Sequence, residues 1–176
     1  LSKLATGIGD NQVRNRGTIG GSIANSDPAA DYPAAVVGLG ATIITQQREI
    51  AGDDFFLDLF ETALEPGEII LKIDFPLPNR AAYKKFPNPA SRYAVVGVLV
   101  AEFDNEIRVG VTGAGPCAFR ASGIEQELAE GIDISALDGI EVPDAGFNND
   151  LHASAEFRAH LVKVMAKRAL EELMSG

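Results

Sequence analysis

Two kinds of hydrophobic pattern divide the chain, and they change over near residue 66. Before that point the apolar positions come in short groups between polar, glycine-rich segments. Residues 1–8 read as the end of a helix, and PAADYPAAVVGLG (28–40) as a short helix closed by Gly38 or Gly40. ATIITQQ (41–47) has the β-branched content of a strand, with REIAGDDFF pairing back through a turn at Gln46–Arg48. In FLDLFETAL (56–64), Phe56, Leu57, Leu59, Phe60 and Leu64 predict a short helix, ended by Pro66-Gly67. Beyond it, EIILKIDFP (68–76), AAYKKFP (81–87), YAVVGVLVAEF (93–103) and EIRVGVTGAG (106–115) read as successive strands, the last two joined by an Asp104-Asn105 hairpin. ASGIEQELAEG (121–131) is a short helix with a glycine stop. SAEFRAHLVKVMAKRALEELMSG (154–176) is a long helix, with Phe157, Leu161, Val164 and Arg168 tracking one broad face. Strands followed by helices predict an α+β fold whose antiparallel sheet is covered on one face. The expected organisation is a small N-terminal portion, residues 1–66, and a second module, residues 67–176.

Composition narrows the function. With 46% hydrophobic and 23% charged residues the chain can bury a core. A net charge of −10 argues against a nucleic-acid face, which needs clustered Lys and Arg. No apolar run reaches the length of a membrane span; Tyr93–Phe103 is interrupted by Gly97 and Glu102. The single cysteine, Cys117, excludes a disulfide framework or a Cys-rich cluster within the chain, fits the reducing cytoplasm, and reads as a packing residue. Residues 1–11 lack the basic and apolar regions of a signal peptide, and without an initiator Met the chain reads as a piece of a longer protein.

Among candidate motifs, GIGDNQ (7–12) has Gln12 where a dinucleotide fingerprint needs its third glycine, and no strand precedes it. GAGPCA (113–118) fits GxGxxA after a strand, but that strand belongs to an antiparallel hairpin, so a turn is favoured over a nicotinamide site at Gly113–Gly115. His152 and His160 are too far apart for a two-histidine metal pair on a helix, and Asp53-Asp54 reads as a solvated acidic pair. No Ser/His/Asp set stands out, and no catalytic acid or base is expected. The stretch QVRNRGTIGGSIANSDPAADYPA (12–34) is different. Gly20-Gly21 leave no Cβ to block a ligand, while Thr18, Ser22, Asn25, Asp27 and Asp31 supply hydroxyl, amide and carboxylate groups. Two readings stand: a polar ligand held beside a helix N-terminus, or a structural turn with Asp27 or Asp31 capping a helix.

RNRGTIGGSIANSDPAADYPA closely resembles the second flavin-contacting segment of the FAD-binding subunit of molybdenum hydroxylases, above all the medium subunit of carbon-monoxide-dehydrogenase-type enzymes and, more loosely, xanthine dehydrogenase. The likeness continues through GEIILKIDFP and YKKFPNPASRYAVVGV to DLHASAEFRAHLVKVMAKRAL. It implies part of an FAD-binding α/β subdomain followed by a C-terminal domain with a three-stranded antiparallel sheet and helices. Thr18, Ile19, Gly20, Gly21 and Ser22 would form the second flavin-binding loop, Asn25 and Asp31 would add polar contacts, and Leu71 would touch the flavin region. Lys85, two residues after Tyr83 on the same strand face, would set positive charge near the reduced flavin, or else be a solvated edge-strand lysine. Lys84 stands where a Glu is frequent in relatives. The family's N-terminal subdomain, with its own glycine-rich loop, would lie outside this chain, which then corresponds to the C-terminal two thirds of a flavin subunit. The resemblance implies electron transfer from iron–sulfur clusters of the [2Fe-2S] type in a small partner subunit, through FAD, to an external acceptor, with the molybdenum cofactor in a large partner subunit. A subunit-docking module without flavin is the alternative.

Overall fold

The computed structural model describes residues 1–9 and 11–175; Asp10, within the GIGDNQ candidate, and Gly176, at the end of the expected last helix, lie outside the described residues. The chain opens with three short helices, α1 (Ser2–Thr6), α2 (Asn11–Arg16) and α3 (Ile19–Asn25), and a fourth, α4 (Tyr32–Gly38). Strand β1 (Thr42–Thr45) then pairs antiparallel with β2 (Glu49–Ala51) across the expected turn, Ile43 facing Ile50. The helix expected over residues 56–64 is a hairpin instead, β3 (Phe56–Asp58) against β4 (Glu61–Thr62). Its apolar residues divide by burial rather than by helical turn. Phe56 is buried with Phe55, whereas Leu57, Leu59 and Phe60 are exposed and Phe60 takes a positive φ of 56° at the turn.

Strand β5 (Ile70–Asp74) also departs from expectation. It pairs antiparallel with β1, giving a sheet of order β2-β1-β5, and does not join the strands that follow it. Strands of one sheet therefore stand on either side of the expected boundary near residue 66. The second sheet has four strands in the order β6 (Arg80–Pro87), β7 (Ala94–Glu102), β8 (Ile107–Thr112) and β9 (Phe119–Arg120), all antiparallel. The three-stranded sheet implied by resemblance is thus present, with the two-residue β9 added at its edge. Helix α5 (Ser122–Glu127) and the 21-residue α6 (Ala155–Ser175) complete the chain.

Both faces of the second sheet are covered, not one. Along β7, Val96, Val98 and Val100 pack on α6 residues Leu161, Val162, Met165 and Leu170. The intervening Leu99 and Ala101 pack on Ala34 and Ala35 of α4. Period-two alternation thus delivers apolar groups to both sides, which is why β7 reads as an unbroken apolar run. The buried face of α6 runs through Arg158, Leu161, Met165 and Ala169, while Phe157 and Arg168 face solvent, a rotation from the expected stripe.

Helix α4 is apolar all round because it is buried on all sides. Ala34 and Ala35 meet the second sheet, and Val36 and Val37 meet the core under the first, with Ile23, Ile43 and Phe55. Full burial of each valine stabilises by about 1.5–3 kcal/mol. Its approach to β8 depends on two glycines. A Cβ on Gly110 would lie against Ala34 O and 2.6 Å from Gly38 N, and one on Gly38 would lie 2.7 Å from Leu99. Buried arginines tie the layers together. Arg108 of β8 donates to Val37 O (2.9 Å) and Asp53 (2.5 Å), and Asp53 also meets Arg120 (3.3 Å), so this acidic residue is paired rather than merely solvated. Arg158 of α6 donates to Val95 O, Gly113 O and Asp150.

Candidate functional site

A cleft of about 700 Å³ opens between α1–α3 and the segment leading into α4. Its floor follows from the TIGGS sequence. Thr18 is extended (φ −120°, ψ 155°) and its Oγ1 accepts from the Gly21 amide at 3.0 Å, so it caps α3. Such a cap is worth about 1 kcal/mol. The expected flavin-binding loop is therefore the cap and first turn of a helix. Two consecutive glycines there cost about 1 kcal/mol each against alanine. The fold gives no reason for the first: a Cβ on Gly20 would meet nothing within 4 Å, and one on Gly21 would meet only Thr18 Oγ1 at 3.0 Å. Helix α3 ends at Ser26, in left-handed conformation and buried, whose Oγ reaches Asp58 O of the hairpin.

The wall of the cleft is residues 27–31. Asp27 accepts from the Ala29 amide in a local turn (2.9 Å). Asp31 precedes α4 without a side-chain cap bond, because its carboxylate points elsewhere. Tyr83 donates to Oδ1 at 2.6 Å, and Lys85 Nζ lies 2.9 Å from Oδ1 and 3.1 Å from Oδ2. Tyr83 and Lys85 do share a face of β6, as the two-residue spacing requires, and Lys85 is neither solvated nor free. Gly97 of β7 makes this possible: a Cβ there would run into the Tyr83 phenol. Asp31 is 2% exposed. Burial raises its pKa above the ordinary carboxylate value, opposed by the Tyr83 hydrogen bond and then the Lys85 charge. Burial, with Asp31 beside it, pushes Tyr83 well above the usual phenol value, which keeps it a donor.

Of the residues singled out from sequence, Thr18, Gly21, Ser22, Asn25 and Asp31 line the cleft. Ile19 instead packs toward the core containing Ile23, and Gly20 lies on the same helical turn outside the lining. Tyr83 and Lys85 reach the cleft through Asp31. Leu71 is 66% exposed on β5 and outside the lining. Sequence reasoning missed Arg16, Tyr32 and Tyr93, which also line it. Tyr93 had no local signal, since it arrives from beyond the β6–β7 turn. Arg16 had one: a cation two residues before the helix cap. Arg14 is committed to Ile8 O, Gly9 O and Asn11, whereas Arg16 has no hydrogen bond or ion pair among the described residues.

The GAGPCA candidate does not open a helix. Gly113 (φ 86°) turns the chain from β8 toward β9, its amide donates to Pro28 O at 2.7 Å, and α5 begins only at Ser122. Cys117 is half-buried, donates weakly to Phe56 O (3.6 Å), and its thiol pKa is raised by burial. Among the described residues no cluster of His, Cys, Asp and Glu fits a metal ion, and no helix is long and apolar enough to cross a membrane.

Residues 1–78, which contain the floor and wall of the cleft, match the family described as FAD binding domain in molybdopterin dehydrogenase. Residues 1–78 belong to this FAD-binding family. Beyond this match, the chain is 33% identical over 94% of its length to the glyceraldehyde dehydrogenase medium chain of Sulfolobus acidocaldarius. It is 31% identical over 97% of its length to the carbon monoxide dehydrogenase medium chain of Hydrogenophaga pseudoflava. It spans 64% and 65% of those relatives' own lengths. Its fold matches a chain of CO dehydrogenase from Oligotropha carboxidovorans with a TM-score of 0.83 at 30% identity, covering 96% of this chain and 64% of that one. A chain of quinoline 2-oxidoreductase from Pseudomonas putida 86 matches with a TM-score of 0.83 at 25% identity, covering 99% of this chain and 66% of that one.

Proposed function

We propose that this chain supplies part of the FAD site in the medium subunit of a molybdenum hydroxylase. The observation that carries the reading is the cleft itself. A Thr-capped, double-glycine helix start faces a buried, laterally held carboxylate across a space that suits a cofactor. The residues fit the group: Gly21 allows close approach, Ser22 and Asn25 offer hydrogen bonds, and Arg16 brings a cation, uncommitted among the described residues, that a diphosphate needs. Asp31, held by Tyr83 and Lys85, presents a fixed acceptor to ligand hydroxyls. Ile19 supports the floor from beneath, while Leu71 would act only at a surface. When bound, FAD would supply the electron relay between an iron–sulfur partner subunit and an external acceptor, with substrate oxidation in a molybdenum-containing large subunit. The protein's part is to bind, orient and shield. Exposed Leu57, Leu59 and Phe60 on the β3–β4 hairpin suit contact with another protein surface and favour a docking role alongside.

Fluorescence-quenching titration with FAD tests the reading. Saturable quenching by the chain, lost in a folded Gly21→Val variant, is the expected result. Equal quenching by both would remove the cleft from consideration. Absence of binding, together with co-purification of large and small subunits, would leave docking as the function.

A further inference from the structure

Thr112, directly before the GAGPCA segment set aside as a nucleotide loop, makes a different contact. Thr112, the last residue of β8, is fully buried and follows Val109, Gly110 and Val111, and the strand's other buried polar side chain, Arg108, is itself hydrogen-bonded to backbone. A hydroxyl in that setting costs free energy unless it is hydrogen-bonded. Its Oγ1 lies 2.9 Å from Pro28 O and 2.7 Å from Ala30 O, so one proton is shared between two carbonyls of the cleft wall. The neighbouring Gly113 amide donates to Pro28 O, and the Ala94 amide donates to Ala29 O at 3.2 Å. Three successive carbonyls, Pro28, Ala29 and Ala30, are thus held by the second sheet. Asp31 follows directly. Thr112 itself is not part of the lining.

We infer that, given the FAD reading above, Thr112 is a positioning residue for the flavin cleft, reaching from the second sheet to fix the 28–31 wall and so the direction of the Asp31 carboxylate. The second sheet then completes a site whose lining comes almost wholly from the first 32 residues. Valine has nearly the same shape and suits a strand, so Thr112→Val removes the hydroxyl and little else, whereas Thr112→Ser keeps it.

The test combines FAD titration with residue-resolved hydrogen exchange on the wild-type chain and both variants. Well below the melting temperature, Thr112→Val is expected to bind FAD about tenfold more weakly, with faster exchange at the Ala94 and Gly113 amides. Thr112→Ser is expected to restore both. A Thr112→Val protein with a lower melting temperature but unchanged affinity and exchange would overturn the positioning role, since a merely structural hydroxyl would behave that way. Failure of the serine variant to restore the amides would overturn it too. If the wild type does not bind FAD, the flavin reading falls, and the exchange data still decide whether Thr112 holds the wall.

Discussion

At the scale of single residues, the helix cap and the charged groups of the cleft are committed within the chain. Thr18 is spent on Gly21, Asp27 on Ala29, Arg14 on α1–α2 backbone, and Asp31 on Tyr83 and Lys85. Arg16 is the exception, and in a chain of net charge −10 an uncommitted cation in a cleft favours an anionic ligand. Arg16→Gln should therefore weaken FAD and FMN by about tenfold, as loss of a charged hydrogen bond predicts. Riboflavin, which has no phosphate, should be affected little. Parallel titrations of the three flavins at two salt concentrations check this; equal losses for all three would mean that Arg16 acts on the fold rather than on phosphate.

At the scale of elements, glycine is used for approach rather than for turning where it matters most. Gly110 and Gly38 bring α4 onto β8 without intervening side chains. Gly110→Ala should cost about 1–3 kcal/mol through overpacking. Gly123→Ala, in α5 with open space before it, should add about 0.5–1 kcal/mol through helix propensity. Urea unfolding of the two variants gives opposite shifts in midpoint if the packing account holds. The same elements show what the sequence made legible. β1, the β7–β8 hairpin and α6 were readable because period and turn chemistry are local. The 56–64 segment was not, because Leu57, Leu59 and Phe60 look core-directed yet stand in solvent, so spacing mimicked a helix. β5 read correctly as a strand, but its partner lies some 28 residues back. Residues 18–22 showed polar groups and freedom, yet the glycines hid a helix start that only the Thr18 cap revealed.

At the scale of the whole molecule, ion pairs set the response to acid. Glu68 accepts from Arg48, from the Glu65 amide and from Thr45, and these hold its carboxyl from 4.5 down to about 2. A depressed carboxylate contributes stability above pH 4.5 that disappears as pH falls toward about 2. Asp31, raised by burial, has the opposite sign: its contribution is present below pH 3.8 and lost as pH rises through its folded value. Melting temperatures of wild type and Glu68→Gln should thus differ most near neutral pH and converge near pH 2; a constant difference would remove Glu68 from the acid response. The bonds from Thr112 to the 28–30 segment also fix an order of events. They close separations of 84 and 82 residues, so the loop between them must be made and paired before they can form. During synthesis, the residues that line the cleft emerge before β8 and wait for it. Ligand capture therefore comes late in the life of the nascent chain, after the sheet that contributes almost nothing to the lining has been assembled.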